Sequence, residues 1–594
     1  MHELSTQVKQ NWYNLPMTLS KPLMIFDGDC GFCRRWIDRW HDMTGDAVDY
    51  APYQDVAHRF PGIASDEFRT SVFLAMPDGK ILRAAHAVFQ ALATQPPFRW
   101  PLWIYRHIPG ARIFFELSYR VVASNRPFFS LMTRIFWGKS VRRATYRVSS
   151  DIFIRGMGLV YLIAFASLGT QILGLVGSHG IIPAADHLKN IAARTGHEKF
   201  WLVPTLAWLS SSDIWIQSLC WLGAIFSIPI LLGAVPTLFL VLCWIFYISL
   251  IYIGGPFLSF QWDILLLEAG FLSMFFAHKK PGNIRILLKL LTFKLMFLSG
   301  WVKLASQDPT WRSLQALRYH YETQPLPPLT AWYIHQAPDW LHTAGCAYVF
   351  VVELLIPFLI FFPRRIRHVS VWILISLQVL IFLTGNYTFF NILTALLCVL
   401  LLDDFAWPKP QVSTPPSQTA KASILSWIAV ILIAGSAIGV FRFTRPFFIY
   451  NSYGLFARMT TERPEIILEG SDDQVEWKAY EFRYKPGALD HAPSFVAPHQ
   501  PRLDWQMWFA ALGNYRQNPW LLGFCKRLLE GSPDVLRLIK HNPFPEHPPR
   551  YIRAVVYDYH FTDFAEKKAT GQWWRRDLKG LYCPVMSLKR QSAD

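Results

Sequence analysis

Residues 261–277 read QWDILLLEAGFLSMFFA, and residues 278–285 read HKKPGNIR. As an α-helix, the first stretch rises about 25 Å, most of the ~30 Å hydrocarbon core of a bilayer. The second is a short loop rich in Lys and Arg, of the kind retained on the cytoplasmic side. Two carboxylates, Asp263 and Glu268, interrupt the apolar run. A charge inside a bilayer is costly, so each of them calls for a partner. A membrane span with buried acids and a basic flank decides the architecture, and the neighbouring segments extend the same pattern in both directions.

Nine stretches have this character: 152–176, 213–232, 235–254, 261–277, 285–305, 346–362, 369–384, 386–402 and 424–441. The segment HEKFWLVPTLAWL (197–209) is too short and mixed, and reads as interfacial or re-entrant. With nine spans, the basic loops RRATYR (142–147), HKKPGNIR (278–285) and PRRIRH (363–368) all fall on one side. The positive-inside rule then puts the N-terminus and the Pro/Ser-rich linker WPKPQVSTPPSQTAK (407–421) in the cytoplasm, and residues 442–594 outside. Composition agrees. The chain of 594 residues is 52% hydrophobic and 17% charged, against about 25% charged in soluble domains. Its net charge of +17 lies beside apolar segments rather than in one run. That pattern suits a membrane surface and argues against a nucleic-acid partner. The first 20 residues lack the apolar middle of a cleavable signal peptide.

Ahead of the spans stands FDGDCGFCRRW (26–36). LMIF (23–26) is a short strand, and GFCRRWIDRWHDM (31–43) puts Phe32, Trp36, Ile37 and Trp40 on one helical face. VDYAPY, then SVFLAM and KILRA around the turn PDG, then the helix AHAVFQALAT, complete a β-α-β…β-β-α order. That is the order of a thioredoxin-like domain. Residues 96–150 are basic and aromatic, and read as amphipathic helices near the membrane surface. A CxxC at a helix start is a redox signal, because the helix N-terminus stabilises the first thiolate. Cys30 is then the nucleophile and Cys33 the resolving thiol. Arg34 and Arg35 add positive potential, while Asp27 and Asp29 oppose it, unless Asp27 instead accepts the Cys33 proton. Half a zinc site and two structural cysteines are the alternatives, and no second CxxC or CxxH lies nearby to complete a metal site. No metal and no resident cofactor are implied.

Among the other charges in apolar runs, which include Glu353, Asp263 and Lys303 sit near span ends, where snorkelling would suffice, whereas Glu268 and Lys294 are deeper. Ion pairs between helices are one reading of the set, and an active site or ion path is the other. The loop 306–345 is aromatic, and its prolines argue against one long helix. His320, His335 and His342 within it are not at metal-ligand spacing. Cys220, Cys243, Cys346 and Cys398 read as small core residues, and Cys525 and Cys583 could pair. Beyond 442, PEIILEGS (464–471) and WKAYEFRYKPG (477–487) form a hairpin pattern, and YIRAVVYDYHF (551–561) alternates like a strand. LDWQMWFAAL and PWLLGFCKRLLEG are helical. The expected whole is a multi-domain membrane protein. It has a thioredoxin-like α/β domain with interfacial helices (1–140), a polytopic helical bundle (141–441) and an α+β soluble domain (442–594).

Asp27, Cys30 and Cys33 within FDGDCGFC resemble the DCC family of thiol-disulfide oxidoreductases over about residues 22–140. The resemblance departs from thioredoxins at DEFRTSV (66–72), which lacks their cis-proline before the third strand. The stretches QWDILLLEAGF, SGWVKLASQDPTWRSLQALRYHYETQPLPP, NSYGLFARMTTERPEIILEGSDD, VAPHQPRLDWQMWFAA and HNPFPEHPPRYIRAVVYDYHF resemble the lipase maturation factor family, from about 150 to 590. That resemblance implies a membrane factor that helps exported lipases reach their folded, active dimer. Its implied partners are an exported client, membrane lipid and, through the dithiol, a thiol redox partner. Members sit in the endoplasmic reticulum membrane of animals, and bacterial relatives, some fused to a DCC domain, imply an inner-membrane location with a periplasmic C-terminal domain. SGWVKLASQDPTW is also similar to the segment of the vitamin-K-dependent γ-carboxylase that carries its catalytic lysine, with Lys303 at the matching place. Three functions follow: a maturation factor whose outer tryptophans (Trp505, Trp508, Trp520, Trp573, Trp574) hold a client, a membrane thiol-disulfide oxidoreductase, or a carboxylase-like enzyme.

Overall fold

The computed structural model describes residues 19–277, 280–408 and 424–588. The N-terminal residues before 19, His278, Lys279 and most of the linker 407–421 lie outside the described residues. The chain divides into two compact units. One comprises residues 1–145 with the short segments 362–368 and 403–419, and the other holds the rest.

The first unit is built on four strands, β1 (Leu23–Phe26), β2 (Asp49–Pro52), β3 (Phe73–Ala75) and β4 (Ile81–Arg83), in the sheet order β2-β1-β3-β4. β1 runs parallel to β2 and antiparallel to β3, and the β3–β4 hairpin turns at the expected PDG. β1 is buried on both faces, as its unbroken apolar run requires. Helix α1 (Gly31–Thr44) covers one face, with α2 (Ala84–Leu92) beside it. Gly28 shapes the loop between β1 and α1, since a Cβ there would lie 2.8 Å from the Cβ of Pro52. Three further helices follow: α3 (Trp100–His107), α4 (Ala111–Ser124) and α5 (Arg126–Trp137). Each leaves an apolar stripe open at helical spacing: Trp100 and Trp103, then Ile113, Leu117 and Val121, then Phe128, Leu131 and Ile135.

The second unit is a helical core with a strand-containing region attached. Among the described residues, five helices are long and apolar enough to cross a membrane. They are α6 (Arg147–Gly169), α7 (Asp213–Leu232), α8 (Pro236–Leu258), α11 (Asp339–Leu359) and α12 (Arg364–Thr384). All nine expected segments contain helix. The remaining four differ from a standard span for readable reasons. α9 (Gln261–Ala277) has 17 residues, and α13 (Phe390–Val399) and α14 (Ile424–Ala437) are shorter still. α10 (Gly282–Ala305) is long enough but carries Arg285, Lys289, Lys294 and Lys303. α6 and α7 pack closely because Gly158 lies against the backbone of Ser227 and Leu231, where a Cβ would come within 2.5 Å of the Leu231 nitrogen. The loop 306–345 is broken into short helices, Pro309–Arg312, Ala316–Thr323 and Leu329–His335, as its prolines suggest. In residues 464–586 a second sheet runs in the order β10 (Trp574–Met586), β9 (Tyr551–Phe561), β5 (Pro464–Ser471), β6 (Lys478–Ala479), all antiparallel. β7 (Glu481–Phe482) pairs separately with β8 (Ile539–His541). Helices α15 (Arg502–Ala511) and α16 (Pro519–Leu529) occupy the two helical stretches expected there.

Candidate functional site

Cys30 caps the N-terminus of α1, and its sulfur accepts the Cys33 amide at 3.3 Å. The Cys33 thiol, that amide and the Arg126 guanidinium pull the Cys30 pKa down to about 5, against the opposing effect of burial. The Cys33 thiol is driven the other way by its hydrogen bond to Cys30, by burial and by the Cys30 charge. At neutral pH the pair is therefore one thiolate and one thiol, a nucleophile with a resolving partner. Alkylation of Cys30 by iodoacetamide is expected to rise through a midpoint near pH 5 and stay level to pH 8, read by mass spectrometry. A midpoint at the ordinary cysteine value of about 8.5 would remove the electrostatic argument.

The surroundings bear on two expectations. A cation that acts on the dithiol is Arg126, from the start of α5, and Arg35 is bound to the Ser130 hydroxyl. Asp27 accepts hydrogen bonds from the Asp29 amide at 3.1 Å and from Gln54 at 3.2 Å. Its second oxygen faces Arg126 at 3.7 Å, so it is held in place and raises the Cys33 pKa by its charge. Where thioredoxins carry the proline, Val72 stands, and its amide donates to the Tyr119 hydroxyl at 3.0 Å. Arg126 and Tyr119 lie about ninety residues from the dithiol along the chain, and the only sequence signal was the basic, aromatic character of 96–150.

In the second unit every charge considered within the apolar segments finds a partner. Asp263 takes both guanidinium nitrogens of Arg502, at 2.9 and 3.0 Å, and the Tyr247 hydroxyl at 2.5 Å. Glu268 binds Lys294 at 2.6 Å, the Tyr453 hydroxyl at 2.7 Å and the Asn451 amide at 2.9 Å. Lys303 donates to Glu353 at 2.6 Å and to the Ser299 carbonyl at 3.0 Å. Snorkelling is thereby overturned for Asp263 and Lys303, which are 0% and 5% exposed, because both partners lie inside the fold. Lys303 and Glu353 border a small cavity of about 100 Å³, shared with His320, Gln378 and Tyr387. His320 lies outside the spans, and burial, followed by the Lys303 charge, holds its pKa down at about 4, so it is neutral. The tryptophans expected to grip a client do otherwise. Trp505, Trp508, Trp520 and Trp574 are buried, Trp505 edge-on to Trp262 with ring centres 4.8 Å apart, and Trp573 packs on Trp332. All eight cysteines are free thiols, Cys525 and Cys583 included.

Three family models match the chain. The lipase maturation factor transmembrane domain covers residues 148–409, and the lipase maturation factor C-terminal domain covers 449–584. The DCC1-like thiol-disulfide oxidoreductase covers 24–134. Lipase maturation factor 2 of Gallus gallus is 35% identical over 586 residues, spanning 75% of this chain and 82% of the relative. Lipase maturation factor 2 of Homo sapiens is 34% identical over 591 residues, 74% of this chain and 83% of the relative. Lipase maturation factor 1 of Homo sapiens is 31% identical over 505 residues, 75% of this chain and 89% of the relative. No solved structure matches the chain.

Proposed function

The chain belongs to the lipase maturation factor family and is an integral membrane protein, and from that premise we propose that it matures exported, lipase-like clients on the outer side of the membrane. The observation that carries this reading is the match of both lipase maturation factor domains, in order, across most of the chain. In the proposed layout nine spans form the bundle 141–441, residues 442–594 form the outer domain, and a thioredoxin-like dithiol domain, 1–140, is cytoplasmic. The host membrane is the inner membrane of a bacterium.

The helix ends support that layout. Lys280 bonds Asp151, and Arg285 lies over the Tyr146 ring at 4.5 Å, so the basic end of α10 meets the start of α6. The opposite ends of the same helices meet the C-terminal region. Gln171, just past α6, donates to the Gln500 carbonyl at 2.8 Å, and Ser306, just past α10, donates to the Ala457 carbonyl at 2.5 Å. Trp262, at the start of α9, donates to Gln500 at 2.8 Å. A basic end held in the cytoplasm leaves residues 449–588 on the far side. The client-facing surface is then something other than the buried tryptophans.

The test is secretion of an exported lipase from the same organism, with and without the chain. Loss of the chain is expected to lower lipase activity per secreted molecule, and the Cys30→Ser, Cys33→Ser double variant is expected to restore it fully. Failure of that double variant to restore activity would move the function to the dithiol. In that second reading the protein is a thiol-disulfide oxidoreductase, favoured by the low Cys30 pKa of about 5. Cys33→Ser would then accumulate a mixed disulfide at Cys30, visible on non-reducing gels.

A further inference from the structure

The Cys33 end of the dithiol borders a cavity. Its volume is about 740 Å³, within the range of small-molecule sites. Its walls are apolar and come from α1, α2, α4 and α5, and Cys33 is part of them. A few polar groups reach it, Ser118, Tyr119 and Thr133 among them. Arg126 lines it, and so does Trp36, whose indole N–H is closed off from solvent and has no hydrogen-bond partner among the described residues. A buried donor without a partner costs free energy that a ligand acceptor would return.

The same two helices that close the cavity are apolar on both sides. Phe115, Tyr119 and Phe129 face inward, while Ile113, Leu117 and Phe128 stay open on the outside. Flanking Arg112, Arg120 and Arg134 complete a helix pair suited to the headgroup region of an anionic bilayer. A ligand dissolved in lipid would reach the cavity between them. A peptide disulfide is less well served, because Tyr119 already occupies the Val72 amide ahead of β3.

We propose that this cavity binds a lipid-soluble quinone, which takes two electrons from Cys30 and Cys33. The proposal rests on the redox reading of the dithiol. The quinone ring lies against Cys33, with its carbonyl oxygens accepting from Trp36 and Arg126. Cys33 Sγ adds to a ring carbon while its thiol proton passes to a carbonyl oxygen. The Cys30 thiolate then attacks Cys33 Sγ. The S–S bond forms, the C–S bond breaks, and its electron pair makes the ring aromatic. One proton from solvent completes the hydroquinone. The dithiol is oxidised by two electrons and the quinone reduced by two, and a cytoplasmic thiol partner restores the dithiol by exchange at Cys30.

The test uses the full chain in detergent, reduced, desalted and mixed without oxygen with a short-chain ubiquinone. Loss of quinone absorbance is followed, and disulfide formation is read by mass spectrometry. One quinol per chain and a Cys30–Cys33 disulfide are expected. Val122→Trp, which fills the cavity, should slow the reaction by about tenfold or more. Trp36→Phe, which removes the donor and keeps the ring, should slow it about fivefold. Both variants should react with oxidised glutathione at the wild-type rate, which also shows that they are folded. Equal quinone rates in wild type and both variants would overturn the cavity assignment. Reaction of the wild type with glutathione but not with quinone would leave the dithiol reading standing and sink the acceptor. Reaction with neither oxidant would sink both.

Discussion

Replacement of Arg502 by leucine is expected to leave little folded protein in the membrane. The substitution strands Asp263 without its cation at the start of α9, in a position that is fully buried. Breaking one side of a buried ion pair costs about 3–5 kcal/mol, and a typical domain is stable by about 5–15 kcal/mol. The Tyr247 hydroxyl, at 2.5 Å, is a single neutral donor and does not replace a bidentate guanidinium. Arg502 also holds the Phe257 carbonyl at 2.7 Å, so the substitution frees a second buried acceptor. Fluorescence-detected size exclusion would show a lost monodisperse peak and a lower melting temperature. The double variant Asp263→Leu, Arg502→Met removes both charges and should recover most of the loss, since a buried pair is often replaceable by apolar residues. If Arg502→Leu alone were as stable as wild type, the fastening of the helical core to the C-terminal region by this pair would be wrong.

Distance along the chain explains what could be read ahead of the structure and what could not. The CxxC at the head of α1, the PDG hairpin, the helix 213–232 and the strand 551–561 are local patterns, set by periodicity over a few residues. They stand where expected. The partners of the charges are another matter. Asp263 pairs with a residue 239 positions away, Glu268 with Tyr453 at 185, and Lys303 with Glu353 at 50. No pattern within a window records such pairs, so Asp263 and Lys303 looked like ends able to snorkel. Arg126 was missed for the same reason. The tryptophans near 505–520 failed differently. Helical periodicity identifies an apolar face but not what covers it, and here Phe260 and Trp262 cover Trp505 while Phe257 covers Trp520.

Lys303→Met is expected to cost about 3–5 kcal/mol, and so is Glu353→Gln, because each leaves its partner buried without a counter-charge. Combined, the two should destabilise less than their sum, with a coupling of about 0.5–3 kcal/mol in their favour. Thermal stability of the purified chain in detergent measures all three variants. The geometry favours a structural pair. Lys303 Nζ is occupied by Glu353 at 2.6 Å and Ser299 at 3.0 Å, and the adjoining cavity of about 100 Å³ falls below the ~300 Å³ of small-molecule sites. His320 on the cavity wall is held neutral at a pKa of about 4, so it stays out of the charge balance across the physiological range. Under the proposed function, the double variant is therefore expected to fold and to support maturation of an exported lipase as well as the wild type. A double variant that folds with wild-type stability yet leaves the lipase inactive would give Lys303 a chemical role, and the resemblance around SGWVKLASQDPTW to a lysine-dependent carboxylase would become the leading account of the bundle.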